Sequence, residues 1–209
     1  MIETLALVPW ETAWPYILAT FFLSYLLGSI PFGLIFGWLA GAGDVRKIGS
    51  GNIGATNVLR TGKRWAAVAT LLCDALKGFL AVWAAGHYFG IQFFPMLAGL
   101  AAFLGHVFPV WLRFKGGKGV ATFIGIVFAL SFLIGVVVCI TWVGIAQTFR
   151  YSSLAALVSA ALTPLYFLLV GASLFAILAF VLAVLIFITH RGNIARLLAG
   201  NESKIGERS

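Results

Sequence analysis

Long stretches of this sequence contain neither lysine nor arginine, and these stretches are strongly apolar. The 14 basic residues lie outside residues 1–45, 78–112, 119–149 and 151–190. Since about 20 apolar residues in a helix span a bilayer, the pattern predicts membrane helices. Charged residues make up only 10% of the chain, against about 25% in soluble domains. The sequence is therefore predicted to form an all-α, polytopic integral membrane protein.

The number of spans depends on one stretch, residues 119–149. As one helix, it would put Arg150 on the opposite side of the membrane from Lys118; as two short helices, it would return Arg150 to the same side. The positive-inside rule favours two helices. The residues available for the break are Gly125, Ser131 and Gly135. We predict seven transmembrane helices, with six as the alternative, near residues 14–40, 66–86, 93–112, 119–131, 132–149, 153–171 and 173–190.

With seven helices, all the basic groups face one side, which the positive-inside rule assigns to the cytoplasm. The prediction is an N-terminus outside, a C-terminus inside and glycine-rich loops at the cytoplasmic surface. No cleavable signal peptide is expected, because the first 20 residues contain no lysine or arginine. We expect a single membrane-embedded domain over residues 1–209. The oligomeric state does not follow from the sequence.

Metal chemistry is not expected. Of the six acidic residues, only Asp44 and Asp74 lie in the middle of the chain, whereas carboxylate metal sites need several acids close together. The two cysteines, Cys73 and Cys139, lie far apart in apolar segments and are expected to be free thiols. We therefore expect no metal, no other cofactor and no nucleic-acid partner.

The first polar segment, "DVRKIGSGNIGATNVLRTGKR", covers residues 44–64. Glycines let successive backbone N–H groups form an anion nest, which a following helix N-terminus strengthens. Ser50 adds a neutral donor, and Arg60 adds a charge. A flexible turn between helices is the alternative interpretation. The candidate substrate-binding residues here are Gly49, Gly51, Asn52, Gly54, Ala55, Thr56 and Asn57.

The second segment, "RFKGGKGVAT", covers residues 113–122 and opens an apolar stretch. Lys118 beside a helix N-terminus would form another anion site, with Gly116, Gly117 and Gly119 as candidate substrate-binding residues. Anchoring of the helix by basic residues is the alternative; it would explain Arg113 and Lys115 but not the glycines.

The third segment, "HRGNIARLLAGNESK", covers residues 190–204. Helical spacing places His190, Asn193 and Arg196 on one face. The alternative is a tail with an interfacial helix. Inside a predicted span, Asp74 and Lys77 have the spacing of an ion pair on one helix face. The remaining histidines, His87 and His106, are expected to be packed or interfacial.

Two or three anion sites on one membrane face predict a phosphorylated substrate. A membrane transporter of a phosphorylated small molecule is the alternative to an enzyme, but transporters carry polar breaks near the midplane, often in repeated halves. Here the polar segments lie at the ends of spans, and no internal repeat is evident. A His-x-x-x-x-Asp acyltransferase dyad is also absent, because the fifth residues after the histidines are Gln92, Trp111 and Ala195.

Six ordered motifs carry a family resemblance. They are "IPFG" (30–33), "DVRKIGSGNIGATNVLR" (44–60), "DALKG" (74–78), "GHVFPVW…FKGGKGVAT" (105–122), "RYSSL" (150–154) and "HRGNIARLLAGNESK" (190–204). Together they resemble the bacterial acyl-phosphate:glycerol-3-phosphate acyltransferase family (PlsY type). The resemblance covers residues 24–204. It implies a seven-helix inner-membrane enzyme that transfers a fatty acyl group from acyl phosphate to glycerol 3-phosphate. The products would be 1-acylglycerol 3-phosphate and phosphate, in the first step of phospholipid synthesis.

The resemblance also places three segments around the active site: residues 50–58, 116–120 and 190–194. We assign Lys118 and its glycine loop to the acyl phosphate, with Lys118 also stabilising charge in the transition state. Ser50, Arg60 and Asn193 are assigned to glycerol 3-phosphate, together with His190. The base is either His190 or a phosphate oxygen of the substrate. The acyl chain is expected to lie between helices, open to the bilayer.

Overall fold

The computed structural model describes residues 10–206, which form ten α-helices and no β-strand within that range. In chain order the helices are α1 Trp10–Gly28, α2 Phe32–Leu39, α3 Ala55–Arg60, α4 Arg64–Phe89, α5 Phe93–Val107, α6 Val120–Leu130, α7 Phe132–Phe149, α8 Ser152–Leu169, α9 Ser173–Thr189 and α10 Arg191–Leu198. Short 3₁₀ turns cover Val45–Lys47 and Val110–Leu112. No residue from 10 to 206 lies in a β-strand, so the prediction of an all-α fold is confirmed for the described chain.

Five segments of the described chain are long and apolar enough to cross a membrane, and the first of them, Glu11–Leu39, contains both α1 and α2. A sixth follows if α9 and α10, which meet at a bend of 64°, are counted as one span. Helix α6 has only 11 residues, which is about 16 Å of helix against a hydrocarbon core of about 30 Å. An integral membrane protein is supported, and seven complete crossings stay a prediction.

The stretch 119–149 forms two helices, α6 and α7, that meet at Ser131. The Ser131 backbone is extended, and its hydroxyl accepts a hydrogen bond from the N–H of Ile134 at 3.4 Å, so this residue caps the start of α7. The two glycines that the sequence also offered for the break lie inside helices. Gly125 packs against the carbonyl of Ala75, and Gly135 packs against the ring of Phe128.

The polar segments meet at one end of the helix bundle. The ammonium group of Lys118, just before α6, donates to the side chain of Asn193 in α10. Arg150, just after α7, exchanges two hydrogen bonds with Ile205, at 2.6 Å and 3.0 Å. Helices α6 and α7 therefore run in opposite directions through the bundle, as the distribution of basic residues predicted. Lys118 and Arg150 lie at the same end.

Glycines let the backbones of neighbouring helices approach closely. A Cβ placed on Gly125 of α6 would lie 1.8 Å from the carbonyl oxygen of Ala75 in α4, and one on Gly78 of α4 would lie 2.4 Å from the carbonyl oxygen of Thr122. Without a hydrophobic driving force between helices in lipid, association depends on such close packing. The contact fixes the start of α6 against the middle of α4.

The fold predicts how single cysteines will label. In a background with Cys73 and Cys139 replaced by serine, Lys115→Cys and Arg150→Cys should react with a membrane-impermeant maleimide from the same side. His87→Cys, near the end of α4 that is far from Arg64, should react from the other side. All three side chains are exposed in the structure. The measurement is labelling of intact cells compared with lysed cells. Labelling of position 150 without position 115 in intact cells would contradict the arrangement of α6 and α7.

Candidate active site

The segment from Gly116 to Gly119 presents free backbone donors. Within residues 10–206, the N–H groups of Lys118, Gly119 and Val120 have no hydrogen-bond acceptor. Gly119 has a φ of +88°, a conformation that favours glycine, and it turns the chain directly into α6. Free N–H groups at the start of a helix attract anions, because the helix dipole adds partial positive charge there.

The glycines of this segment are also required by packing. A Cβ on Gly116 would lie 2.2 Å from the carbonyl oxygen of His106, one on Gly117 would lie 2.0 Å from Nε2 of His106, and one on Gly119 would lie 2.2 Å from the ring of Phe103. The sequence had suggested anion binding as the reason for these glycines. The structure adds a second reason, since the loop lies directly on the end of α5.

A hydrogen-bonded network joins this segment to α10 and the C-terminal tail. Lys118 Nζ donates to Oδ1 of Asn193 at 2.5 Å, and Nδ2 of Asn193 donates to Oε1 of Glu202 at 2.5 Å. Glu202 also accepts from the Ser153 hydroxyl at 2.7 Å and pairs with Arg196 at 2.7 Å. The predicted pair Lys118 and Asn193, which are 75 residues apart in sequence, is thus in direct contact.

Arg60 brings the first segment to the same network. Its guanidinium bonds the hydroxyl of Ser203, the residue after Glu202. Gly49 packs against the Arg60 side chain, because a Cβ there would lie 2.8 Å from its Cδ. Arg60 is also close enough to influence the charge of Lys118. The cation predicted to bind glycerol 3-phosphate therefore lies beside the one predicted to bind the acyl phosphate.

Asn57 organises the first loop. The buried Asn57 amide donates to the carbonyls of Val45 at 2.7 Å and Asn52 at 2.8 Å. Its Oδ1 accepts from the N–H of Ser50 at 3.0 Å. Because these hydrogen bonds within the loop already occupy the Asn57 amide, a contact between Asn57 and substrate stays a prediction. They also hold the exposed Ser50 in place beside Gly49, which contacts the Arg60 side chain.

The remaining predicted residues of the first loop surround this core. Oδ1 of Asn52 accepts from the N–H of Gly54 at 3.0 Å. The hydroxyl of Thr56 lies 3.4 Å from that of Ser152, at the start of α8. Ala55 is the first residue of α3, and Gly51 has a φ of +69°. The loop is therefore tied to α8 as well as to the tail.

His190 lies between α9 and α10, behind Lys118. Its Nδ1 is 2.8 Å from the carbonyl oxygen of Ile186. A carbonyl can only accept, so Nδ1 carries the proton and Nε2 of the neutral ring keeps its lone pair. The neighbouring Thr189 donates its hydroxyl to the Lys118 carbonyl at 3.1 Å. His190 is buried at 3% exposure, so a role as base stays a prediction.

The electrostatics of the site are dominated by positive charge. Burial lowers the pKa of Lys118 to about 8; the Glu202 carboxylate opposes this shift, while Arg196 and Arg60 add to it. For Glu202, burial raises the pKa, but hydrogen bonds from Ser153, Asn193 and Arg196 outweigh burial and lower it. Lys118 therefore lies near two further cations, Arg196 and Arg60, and one carboxylate, and a phosphate anion would neutralise the excess positive charge.

Glu202 is not among the functional residues that the sequence predicted. In the sequence, Glu202 stands out only as an acidic residue within a basic tail. Helical spacing does not place it beside Asn193. The structure shows why it matters: the chain turns back after α10, since the N–H of Asn201 donates to the carbonyl of Arg196 at 2.8 Å. This turn places the Glu202 carboxylate among Ser153, Asn193 and Arg196.

Other basic residues line an opening that borders the first loop and the Lys118 loop. A cavity of about 500 Å³ is lined by Arg46, Gly51, Trp111, Leu112, Arg113, Lys115 and Gly116. Arg46 is paired with Asp44 at 2.7 Å. Lys115 lies here and not in the network around Lys118, which separates the two lysines of the second segment.

The two cysteines are free and partly buried, as predicted. Within residues 10–206, no three His, Cys, Asp or Glu side chains are grouped so that they could hold a metal ion. The expectation that no metal is needed stays a prediction, to be tested by assay.

Comparisons with known proteins agree on one family. The glycerol-3-phosphate acyltransferase family model matches residues 18–200. A glycerol-3-phosphate acyltransferase of Mesorhizobium japonicum is 57% identical over 182 residues, which are 87% of this chain and 92% of that protein. One of Methylorubrum extorquens is 55% identical over 195 residues, 93% of this chain and 96% of that protein.

Solved structures are similar along the whole bundle. The crystal structure of PlsY, an integral membrane glycerol 3-phosphate acyltransferase, in its glycerol 3-phosphate form matches with a TM-score of 0.87 and 41% identity, over 91% of this chain and 96% of that one. Its lysophosphatidic acid form matches with a TM-score of 0.85 and 40% identity, over the same shares of the two chains.

The network predicts that Glu202 stabilises the fold of the tail. In Glu202→Ala, Ser153 and Asn193 lose their acceptor and Arg196 loses its ion pair. Leaving a buried polar group without a hydrogen bond lowers the free energy of unfolding by about 1–3 kcal/mol. Each kcal/mol lost lowers the Tm by about 2–4 °C at this chain length. The apparent Tm in detergent, followed by tryptophan fluorescence, should fall by several degrees.

Glu202→Gln is the matched variant, because it keeps an acceptor for Ser153 and loses only the charge. Its Tm should fall less than that of Glu202→Ala. Equal Tm values for the parent and Glu202→Ala would show that the tail does not depend on this carboxylate.

Proposed function

The chain belongs to the glycerol-3-phosphate acyltransferase family, and on that basis we propose that it transfers a fatty acyl group from acyl phosphate to the sn-1 hydroxyl of glycerol 3-phosphate. The acyl transfer to glycerol 3-phosphate is supported by relatives that carry this name and by PlsY structures in glycerol 3-phosphate and lysophosphatidic acid forms. The acyl phosphate donor is our assignment. The reaction would produce 1-acylglycerol 3-phosphate and phosphate, the first step of phospholipid synthesis.

One observation carries the proposal: Lys118, beside free N–H groups at the start of α6, bonds Asn193, and Arg60 bonds Ser203, the neighbour of the Glu202 that Asn193 contacts. Both proposed substrates carry a phosphate, and this network offers cations and donors from three separate segments. Its layout suits two anions brought side by side. The transporter alternative has no comparable observation in its favour.

The chemistry requires orientation more than activation. The hydroxyl oxygen of glycerol 3-phosphate attacks the carbonyl carbon of the acyl phosphate, and a C–O bond forms. The bond from that carbon to the phosphate oxygen then breaks, and phosphate leaves with the electron pair. Acyl phosphate is a mixed anhydride with a good leaving group, so correct orientation, worth about 7–11 kcal/mol at best, supplies much of the rate.

Charge stabilisation supplies more of the rate. Negative charge develops on the carbonyl oxygen and on the leaving phosphate, close to the ammonium of Lys118 and the free N–H groups of Lys118 and Gly119. Such preorganised donors are strongest where water is excluded. The hydroxyl proton passes either to Nε2 of His190 or to a phosphate oxygen of the substrate. Ser50, Arg60 and Asn193 hold glycerol 3-phosphate.

We place the site at the cytoplasmic face of the bacterial inner membrane, with the N-terminus outside and the C-terminus inside. The support is the distribution of lysine and arginine together with the common end that Lys118, Arg150 and the tail occupy in the structure. The acyl chain would lie between helices, open to the bilayer.

The donor assignment predicts a specific substrate requirement. Purified protein should form 1-acylglycerol 3-phosphate from glycerol 3-phosphate and acyl phosphate, releasing one phosphate for each acyl group transferred. Acyl thioesters should not replace the donor, and activity should persist in EDTA after desalting. The measurement is product and phosphate formation with each donor in turn. Equal rates with a thioester, or a rate that Mg²⁺ must restore, would contradict the assignment.

Lys118 should be far more sensitive than Lys115. Removing one donor that stabilises transition-state charge costs about 100- to 1000-fold in rate, so Lys118→Ala should lose at least that much kcat while still folding and purifying like the parent. Lys115→Ala, which removes the same charge from a side chain outside the Lys118 network, should lose far less. Similar, near-parental rates for both variants would leave the loop as a helix connection only.

The lowered pKa of Lys118 predicts an alkaline limit to activity. The charged form is lost as pH rises through about 8, and the pH dependence of kcat/KM reports the free enzyme. The value of kcat/KM should therefore fall above pH 8. Lys118→Arg should be slower at every pH, because arginine differs in shape and donor geometry, but its profile should lack the limb near pH 8. An unchanged limb in Lys118→Arg would assign that titration to another group.

A further inference from the structure

A buried cluster lies behind the Lys118 loop, at the point where four segments meet. Asp74 and Lys77 in the middle of α4 and His106 at the end of α5 are each no more than 4% exposed. Nζ of Lys77 lies 2.7 Å from Oδ1 of Asp74, and Nδ1 of His106 lies 3.5 Å from the same oxygen. Ionisable groups inside a membrane span are energetically costly, so the presence of three of them together calls for an explanation.

Lys77 contacts the backbone where the helix is interrupted between α1 and α2. Helix α1 ends at Gly28, and Pro31 precedes α2, so the regular helical hydrogen bonds stop between them. Nζ of Lys77 donates to the carbonyl oxygen of Ile30 at 2.9 Å, and this oxygen also accepts from the N–H of Phe32 at 3.1 Å. Non-helical backbone at membrane depth is tolerated only where such a partner exists. This contact explains Lys77, but it leaves the third member of the cluster unexplained.

His106 faces two ways. One side of its ring points to Asp74, while on the other side Nε2 lies so close to Gly117 that a Cβ there would be 2.0 Å away. Its own carbonyl accepts from the N–H of Gly117 at 3.0 Å. The residue after Gly117 is Lys118. The imidazole therefore lies between a buried carboxylate and the backbone that carries the lysine.

Not all polar atoms of this cluster are hydrogen-bonded, unlike those of most purely structural networks. Within residues 10–206, Oδ1 of Asp74 and Nδ1 of His106 form close contacts but no hydrogen bond of normal geometry. Buried polar groups in native proteins are nearly always hydrogen-bonded, and exceptions call for an explanation. A hydrophobic residue would fill the same space without this cost.

We propose that His106, oriented by the buried Asp74 and Lys77 pair, is a positioning residue. It fixes the distance between the Gly116–Gly119 loop and α5 and keeps the loop rigid. It thereby places the Lys118 ammonium next to the reacting carbonyl. The proposal rests on the function assigned above. His106 does not touch substrate. It acts through the contact of its ring with Gly117, since a loop that lies on a fixed ring cannot sink toward α5.

Two variants separate the two sides of the ring. His106→Gln places an amide near the position of Nε2 and keeps contact with Gly117, whereas His106→Asn places an amide near Nδ1 and keeps only the side facing Asp74. A misplacement of about 1 Å can cost about 100-fold in rate. We expect kcat to fall about 10- to 100-fold in His106→Ala and His106→Asn, with a smaller loss in His106→Gln and little change in KM for glycerol 3-phosphate.

A second readout distinguishes positioning from stability. If the loop loosens, Lys118 becomes more hydrated, and the alkaline limb of kcat/KM should move from about pH 8 toward higher pH. A purely structural loss would reduce the amount of folded enzyme and leave the limb in place. His87→Ala is the matched control, because His87 is an exposed histidine stacked on Trp83, near the opposite end of α4.

A double-mutant cycle tests the contact directly and does not depend on the stability of one variant. Gly117→Ala should be severely damaging in the parent, where the new methyl group meets the imidazole, and much less damaging in His106→Ala, where that space is free. Strictly additive effects of Gly117→Ala and His106→Ala on kcat would overturn the inference.

The outcomes separate this inference from the assigned function. Wild-type protein that fails to acylate glycerol 3-phosphate would refute the function itself. An active wild type whose His106 variants match His87→Ala in kcat and in pH profile would refute only the positioning role.

Discussion

The bond between the Lys118 ammonium and the Asn193 side chain connects the two halves of the polar end of this protein. It joins the start of α6 to α10, and through Asn193 it reaches Glu202, Arg196 and Ser153. Lys118 reaches the Glu202 carboxylate of the tail through the Asn193 side chain. The network thus converts three separate segments into one site, and it does so with groups that can also bind phosphate.

The site combines strong positive charge with partial exclusion of water. Burial lowers the pKa of Lys118, and the nearby cations Arg196 and Arg60 lower it further, against the opposing effect of the Glu202 carboxylate. A phosphate dianion would relieve this repulsion, so substrate binding and restoration of the lysine charge favour each other. An enzyme whose donor is already an activated anhydride needs little beyond such charge and orientation, which fits a site without a catalytic triad among the described residues.

Much of the fold could be predicted because lipid imposes simple rules. Stretches without lysine or arginine became helices, and the requirement that Arg150 return to the side of Lys118 predicted the break that the structure places at Ser131. Family motifs identified Lys118, Asn193 and Arg60, which the structure brings together. Other features depend on distances that no local pattern encodes. Glu202 reaches Asn193 only because the tail folds back, and the amide of Asn57 turned out to serve the loop itself.

The central claim is that Arg60 and Asn193 hold glycerol 3-phosphate beside the Lys118 loop, which is assigned to the acyl phosphate. The most direct measurement is an experimental structure of this protein at high resolution with glycerol 3-phosphate bound. The expected result is phosphate density within hydrogen-bond distance of Arg60, with Asn193 in contact with the bound molecule and the Lys118 loop next to it. Density confined to the cavity lined by Arg46, Arg113 and Lys115, with no contact to Arg60 or Lys118, would contradict it.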